Sequence, residues 1–348
     1  MKALVCIQPG EFAYREIETP MAGPGQAVIK IRRIGICGTD LHAFEGTQPY
    51  FDYPRILGHE LAGDLVDIDK APGFVVGEAV TVIPYFNCGT CIACRNGKPN
   101  CCTTLKVCGV HIDGGMVDYL VVPSAALVHG GGLSYDQLAL VEPLAIGAHA
   151  VRRAGIQPGE FVLVVGAGPI GLGTMEAARI AGGEVIAMDI NEDRLRFCRE
   201  KLEVLHTVNA SGAGDRGGAG VAGGAMEALK HITRGDMPTV VIDATGSLRA
   251  IENAFQYMAH GARYVLVGLQ KGDIRFSHPE FHKREGTLMS SRNATRADFE
   301  GVMDSMRRGL IDPTIYITHR VGFDEVKAEF AGWLDPARGV IKAMVEKE

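Results

Sequence analysis

No long uncharged apolar run occurs in this 348-residue chain. Charge-free segments such as those around 161–175 and 120–135 are broken by glycine and proline. Each falls short of the roughly 18 residues that a membrane-spanning helix needs. A basic tract is also missing. Lys plus Arg number 35 against 41 Asp plus Glu, a formal net charge of -6. That balance argues against a protein that grips a nucleic-acid backbone, although it leaves room for a local basic groove. The first residues carry one charge and a short apolar run that stops at Gln8-Pro9-Gly10. No signal-peptide core is legible there, so the expected location is the cytoplasm. No internal repeat is visible, and the missing Gly-X-Y period excludes collagen. What is present is apolar material, 47% of the chain, with 22% charged residues and 45 glycines. This composition supports substantial cores, many tight turns and about two domains.

The nine cysteines are unevenly placed, with five between Cys88 and Cys102. An odd total in a long chain makes a poor disulfide framework. Cys88, Cys91, Cys94 and Cys102 have the short spacing with which four thiolates wrap one tetrahedral ion, a closed structural zinc site. Cys101 competes with Cys102 for the fourth position. An iron–sulfur cluster and a set of ordinary reduced cysteines are the other readings.

The first 150 residues read as short strands with turn punctuation: 27–32, 79–83 ending at Pro84, and 117–122 ending at Pro123. A helical segment is expected from about Leu138 to Ala154, interrupted at Pro143. The pattern then changes to uninterrupted apolar strands at 161–165, 184–189, 239–243 and 262–268, separated by helices. Such strands predict a parallel sheet covered on both faces, an α/β domain over 149–285. The Gly- and Ala-rich stretch 211–224 reads as an irregular surface connection. A last helix is expected near Phe323, with Phe330 and Trp333 in a core.

Gly166, Gly168 and Gly171 form a GxGxxG directly after the strand 161–165 and open a helix through Pro169 and Ile170. In that context the glycines allow a tight turn, close approach of backbone to a pyrophosphate, and close helix–strand packing, while the helix start supplies amides. Asp189 ends the next strand. A carboxylate there accepts the adenosine ribose hydroxyls and repels a 2′-phosphate, favouring NAD over NADP. Arg194 could flank the adenine or be a solvated helix residue. Thr245, after Asp243, and Gly268 lie where the nicotinamide half is expected.

Taken singly, Cys37 reads as a small buried side chain, His59 as a hydrogen-bonded ring, and Glu142 as a helix-start acid. The motifs around them say more. Gly35-Ile36-Cys37-Gly38-Thr39-Asp40-Leu41-His42, Gly58-His59-Glu60, Asp113-Gly114-Gly115 and Val141-Glu142-Pro143-Leu144, with the four-cysteine run and the glycine fingerprint, cover the chain. As a set they closely resemble the zinc-containing medium-chain dehydrogenases, in the polyol and sugar-acid branch. The resemblance implies a mainly β, GroES-like catalytic domain over 1–148 with a zinc lobe at about 84–108. It also implies a Rossmann, doubly wound parallel-sheet domain over 149–285 and a segment 286–348 returning to the catalytic domain. It implies two zinc ions, one structural and one catalytic, the latter on Cys37, His59 and Glu142. Glu60 would lie beside the metal or enter its shell, and Asp40 would orient His59. Thr39 and His42 would relay the hydroxyl proton to solvent while hydride passes to the nicotinamide.

The stretches 46–54 and 281–294 resemble the sugar-acid members, especially the L-galactonate 5-dehydrogenase group. They imply oxidation of a secondary hydroxyl of a sugar acid or polyol, with Arg292 pairing a substrate carboxylate and Asn293 binding a hydroxyl. Interdomain or subunit contact is the other reading of those two residues. A short-chain alcohol, diol or L-threonine-type dehydrogenase is the alternative function, and a non-catalytic zinc or nucleic-acid-binding protein a remote one. Expected partners are a small-molecule substrate, no nucleic acid, no membrane, and copies of the chain in a homotetramer or homodimer. The sheet edge joining those copies is expected around Arg263–Phe276.

Overall fold

The computed structural model describes residues 1–49, 51–69, 73–211 and 220–348. It divides into two compact units, Met1–Glu142 with Thr295–Glu348, and Pro143–Ala294.

The first unit is β-rich. Its largest sheet runs in the order Leu127–His129, Ala79–Val82, Glu60–Ile68, Gln26–Ile36, Lys342–Glu346, Ile317–Gly322, and Tyr119–Pro123 also pairs with Gln26–Ile36. A second sheet holds Glu11–Glu16, Lys2–Gln8 and Arg55–Ile56. In the strand Gln26–Ile36, Ile29 and Ile31 are buried and alternate with the more exposed Lys30 and Arg32, and an irregularity between Ile31 and Arg33 shifts the alternation so that Ile34 and Ile36 are buried beyond it. C-terminal residues Phe323, Val326, Phe330, Trp333, Ala343 and Val345 share one core with Leu4, Phe12, Ile29 and Phe44. Phe330 and Trp333 are therefore core residues, as expected. The last helix is a run of short turns over Phe323–Leu334.

Register decides what this sheet presents at one end. Gly35 lies opposite both Glu60 and Met344, and Ile36 lies opposite Ala343. Cys37, Glu60 and Lys342, at or just beyond their strand ends, therefore come together.

The second unit is one parallel sheet in the order His206–Asn209, Glu184–Asp189, Phe161–Val165, Val240–Asp243, Arg263–Leu266, Thr287–Ser290. Strand order reverses beside the first strand, Phe161–Val165. Ligands of open α/β sheets bind at the carboxyl ends beside such a switch point. Leu163, Val165, Ile186, Met188, Val241 and Tyr264 make its core.

Three sequence expectations need correction. The helical segment around Pro143 is not interrupted there. The helices are Tyr135–Ala139 and Val141–Ala154, and Pro143 sits in the first turn of the second, where no N–H is needed. Residues 212–219 of the supposed irregular stretch lie outside the described residues, and 220–224 begin a helix, Gly220–Ile232. Arg263–Leu266 is an inner strand, and the sheet edge is Thr287–Ser290.

Candidate active site and metal centres

Cys37 precedes the helix Gly38–Glu45 and acts as its N-cap residue. Its amide donates to Asp40 Oδ2 at 2.9 Å, and the amide of Gly58 donates to Asp40 Oδ1 at 3.1 Å. The buried Asp40 carboxylate thereby ties the loop carrying His59 to the turn carrying Cys37. Burial holds Asp40 above the usual carboxylate range against the pull of His59 and the two amides. His59 Nδ1 lies 3.7 Å from Asp40 Oδ1 and has no hydrogen-bond partner among the described residues. At that separation Asp40 acts on the ring through charge and not through a hydrogen bond. Burial opposes a charged ring, but Asp40, Cys37 and Glu142 together hold His59 well above the usual imidazole range.

The ligand atoms of Cys37, His59 and Glu60 all lie within 4.8 Å of one another. Glu142, the carboxylate implied by the resemblance, is not in that trio. It sits in the first turn of Val141–Ala154 and its Oε1 accepts the buried Tyr85 hydroxyl. Burial pushes Glu142 up to about 7, with His59 working against the shift and Glu60 adding to it. Glu60 is fully buried, and both of its oxygens lie 2.7 Å from Lys342 Nζ. Lys342 is also buried, and its ammonium donates to the Ile36 carbonyl at 3.0 Å. Burial lowers the proton affinity of Lys342, but Glu60, Cys37 and Glu142 together more than restore it.

Neither Lys342 nor Tyr85 was read from the sequence as functional. Lys342 did leave a signal, as one cation inside the apolar run Val340–Val345. Tyr85 left none beyond its place between Pro84 and the cysteine run.

Thr39 lies half-buried in the same helix, and His42 is exposed one turn on. His42 Nδ1 faces Glu45 Oε2 at 3.3 Å and Thr47 Oγ1 at 3.2 Å.

The second cluster is Cys88, Cys91, Cys94 and Cys102, again with ligand atoms within 4.8 Å. Cys91 and Cys94 sulfurs are 3.5 Å apart, as are those of Cys88 and Cys102. Tetrahedral zinc with Zn–S near 2.3 Å needs sulfurs about 3.8 Å apart, so the set fits zinc. Cys101 is exposed and outside the cluster, whereas Cys102 is buried and within it. The Thr90 amide and hydroxyl pull the Cys88 thiol down to about 5. The other trio, a thiol, an imidazole and a carboxylate shielded from water, is a donor set for a catalytic zinc.

In the second unit, Gly166 has φ +101° and leads from the first strand into the helix Pro169–Ile180, which Gly168 caps. A Cβ on Gly171 would collide with the Gly166 carbonyl oxygen. Ile170 lies in the first turn, where its carbonyl accepts the Thr174 hydroxyl. Asp189 accepts the Ala167 amide at 2.7 Å on Oδ2 and the Asn191 amide at 2.8 Å on Oδ1. Its carboxylate is thus fixed beside the glycine turn. Arg194 donates to the Ala167 carbonyl at 3.2 Å, placing its guanidinium at the same turn. Asp243 accepts the amides of Thr245 and Gly246 and the Thr245 hydroxyl, and Gly268 packs against Gly246. Arg292 and Asn293 follow the edge strand at the same carboxyl end of the sheet, with Asn293 at φ +53°.

A parallel sheet turning on glycine after its first strand, on one chain with a thiol–imidazole–carboxylate cluster and a four-cysteine cluster, defines a zinc- and nicotinamide-dependent dehydrogenase. Residues 23–131 match the alcohol dehydrogenase GroES-like domain, and residues 169–308 match the zinc-binding dehydrogenase family. The chain is 42% identical over 346 residues to L-galactonate-5-dehydrogenase of Escherichia coli K12, covering 99% of this chain and 98% of the relative. A short chain alcohol dehydrogenase of E. coli CFT073, solved with NADH, superposes with TM-score 0.88 at 30% identity over 100% of this chain and 99% of that one. A zinc-binding dehydrogenase of Sinorhizobium meliloti, solved with NADP, superposes with TM-score 0.86 at 28% identity over 99% of both chains. The chain belongs to the zinc-containing alcohol dehydrogenase family and is a zinc- and NAD-dependent oxidoreductase acting on CH–OH donors. Among the described residues, no helix is long and apolar enough to cross a membrane.

Proposed function

We propose that this enzyme oxidises a secondary hydroxyl of a sugar acid or polyol to the ketone, with NAD as acceptor. The observation that carries the substrate class is the 42% identity, over nearly the whole chain, to a dehydrogenase of L-galactonate. Arg292 supports it, since a guanidinium suits bidentate pairing with an aldonate carboxylate, and Asn293 would hold a hydroxyl. Asp189 supports NAD over NADP, because a carboxylate held by two amides beside the glycine turn would repel a 2′-phosphate.

Cys37, His59 and Glu142 are the proposed protein ligands of the catalytic zinc, which when bound supplies Lewis-acid stabilisation of the developing alkoxide. The rest falls to the chain's own residues. Thr39 Oγ1 accepts the substrate hydroxyl proton as it gives up its own, which is handed on toward His42. His42 passes it to solvent from Nε2, its Nδ1 being held by Glu45 and Thr47. Asp40 stabilises His59 in place. The glycine turn and the backbone around Thr245 and Gly268 hold the cofactor so that hydride transfer is a matter of distance and orientation. A cytoplasmic homotetramer or homodimer, joined through the Thr287–Ser290 edge, completes the reading.

NAD reduction by dialysed protein on a panel of aldonates, alditols and short diols, with metal counted on the same sample, tests it. Two zincs per chain and turnover on an aldonate well above the matching alditol are expected. Turnover on simple alcohols, diols or L-threonine alone would overturn the substrate class.

A further inference from the structure

A cavity of about 410 Å³ opens within the second unit, away from the glycine turn. It lies between the carboxyl half of the helix Pro169–Ile180, the start of the strand Glu184–Asp189 and the connection 202–206. At about 3.3 Å per residue, that strand puts about 17 Å between this end of the sheet and the Asp189 end. The floor is apolar. Met175, Leu202 and Val204 are buried there, with Val185 half-buried beside them. The Met175 sulfur lies 3.7 Å from the Cys198 sulfur, which packs the floor against the helix Glu192–Lys201. The mouth carries two local costs. Leu205 is 88% exposed there. Glu203 stands at φ +54°, the left-handed region that a side chain rarely adopts. Strain of this kind collects at ligand-binding places. The Val204 amide, donating to the Cys198 carbonyl at 3.1 Å, fixes the bend. Charge around the cavity is one-sided. Glu176, Glu184 and Glu203 line it against one guanidinium, Arg179, and one imidazole, His206. The helices Pro169–Ile180 and Glu192–Lys201 both end at the cavity and bring the negative ends of two dipoles to it. Arg199, in the last turn of the second helix, is turned to Glu192 and Thr207 at 2.7 and 2.9 Å. An anion is therefore repelled, a cation is favoured, and the floor accepts hydrocarbon.

We propose that this cavity is a second small-molecule site, taking an organic ammonium ion whose hydrocarbon body lies on Met175, Leu202 and Val204 and whose charge meets Glu184 and Glu203. Its size falls in the range of small-ligand clefts, roughly 300–1,000 Å³. Neither a sugar acid nor a polyol suits it. The first carries the wrong charge, and the second gains nothing from an apolar floor. The site is thus independent of the substrate reading. Its walls are the helix that Gly168 caps and the strand that ends at Asp189, so its occupant bears on the same two elements as the cofactor from their opposite ends.

The full zinc-loaded chain, carbon-13 labelled in its methionine methyl groups, tests the proposal by nuclear magnetic resonance. The probe is 2-phenylethylammonium, and Met175→Leu identifies the Met175 signal. That signal is expected to move and saturate with a Kd of roughly 1–10 mM, as so small a probe allows. The anion of similar shape, 3-phenylpropanoate, should bind at least about tenfold more weakly, and so should ethylammonium, which has the charge without the body. Glu184→Gln/Glu203→Gln, at two exposed positions, should weaken the probe about fivefold or more. Saturating NAD should leave the Met175 titration in place, and Val204→Trp, which fills the floor, should abolish it. A Met175 signal that stays still, or that NAD suppresses by competition, overturns the proposal. So does an equal response to the ammonium and the anion, or undiminished affinity in the double variant. Should Val204→Trp fail to fold, the double variant and the anion comparison decide alone.

Discussion

Gly168 and Gly171 sit three residues apart in one turn, yet replacing each with alanine should fail for opposite reasons. A Cβ on Gly171 runs into the Gly166 carbonyl oxygen and carbon, which are backbone and cannot swing away. Overpacking typically costs about 1–3 kcal/mol, and a clash with main chain belongs at the upper end. For a unit of this size each kcal/mol moves Tm by about 2–4 °C, so Gly171→Ala should lower Tm by roughly 6–12 °C without any ligand. A Cβ on Gly168 meets only Arg194 Nη1, at 3.5 Å, and the backbone there is ordinary extended geometry at φ -79°. Gly168→Ala should therefore melt with the wild type. Its cost should appear when the pyrophosphate approaches, where the same overpacking of about 1–3 kcal/mol weakens NAD by about 5- to 150-fold. Differential scanning calorimetry of the free protein, paired with isothermal titration of NAD, separates the two. Gly168→Ala melting as low as Gly171→Ala, or binding NAD as tightly as the wild type, would refute the division of labour within this turn.

Three further tests follow from the geometry. Cys102→Ser should lower the metal count from two to one per chain, while Cys101→Ser leaves two, read by elemental analysis of dialysed protein. Asp189→Ser should raise kcat/KM for NADP relative to NAD by removing the carboxylate that repels a 2′-phosphate, and an unchanged ratio would count against its selectivity role. Asp136 bonds Arg33 at 2.8 Å and Arg320 at 2.6 Å; burial alone would raise its pKa, but the two guanidinium groups hold it below the usual carboxylate range. Its contribution is present above the unfolded value of about 3.9 and is lost as pH falls through the lower folded value. Asp136→Asn should thus lower Tm at pH 7 and converge with the wild type in acid; a constant gap across that range would contradict this.

The two units differ in how openly the sequence announced them. Continuous apolar runs such as Phe161–Val165 and the glycine turn after it are local signals, because a parallel strand buried on both faces and a dinucleotide turn are each built from adjacent residues. The four-cysteine lobe is equally local, and only the choice between Cys101 and Cys102 needed coordinates, since adjacent residues differ in direction and not in spacing. Pro143 shows a local rule misread, because a proline in a first turn leaves a helix intact and stops one only in its interior. Edge position in the sheet was misplaced for a different reason. Strand order is set by pairing between distant segments, and nothing within Arg263–Leu266 says that Thr287–Ser290 will lie outside it.

The residues around Glu60 make the same point about chemistry. Cys37, His59 and Glu60 came from motifs a few residues long. Lys342 enters their site from near the C-terminus only because strand Lys342–Glu346 pairs with Gln26–Ile36 in the register Ala343 to Ile36. A one-residue slip would turn every side chain of that strand to the opposite face and take the ammonium away from Glu60. The charge balance of the site is thus a property of sheet register. It follows that a substitution disturbing this pairing without removing a ligand, such as Met344→Pro, should change the coordination of cobalt substituted for the zinc before it changes nucleotide binding. Loss of NAD affinity with an unaltered cobalt spectrum would show that register does not govern the site.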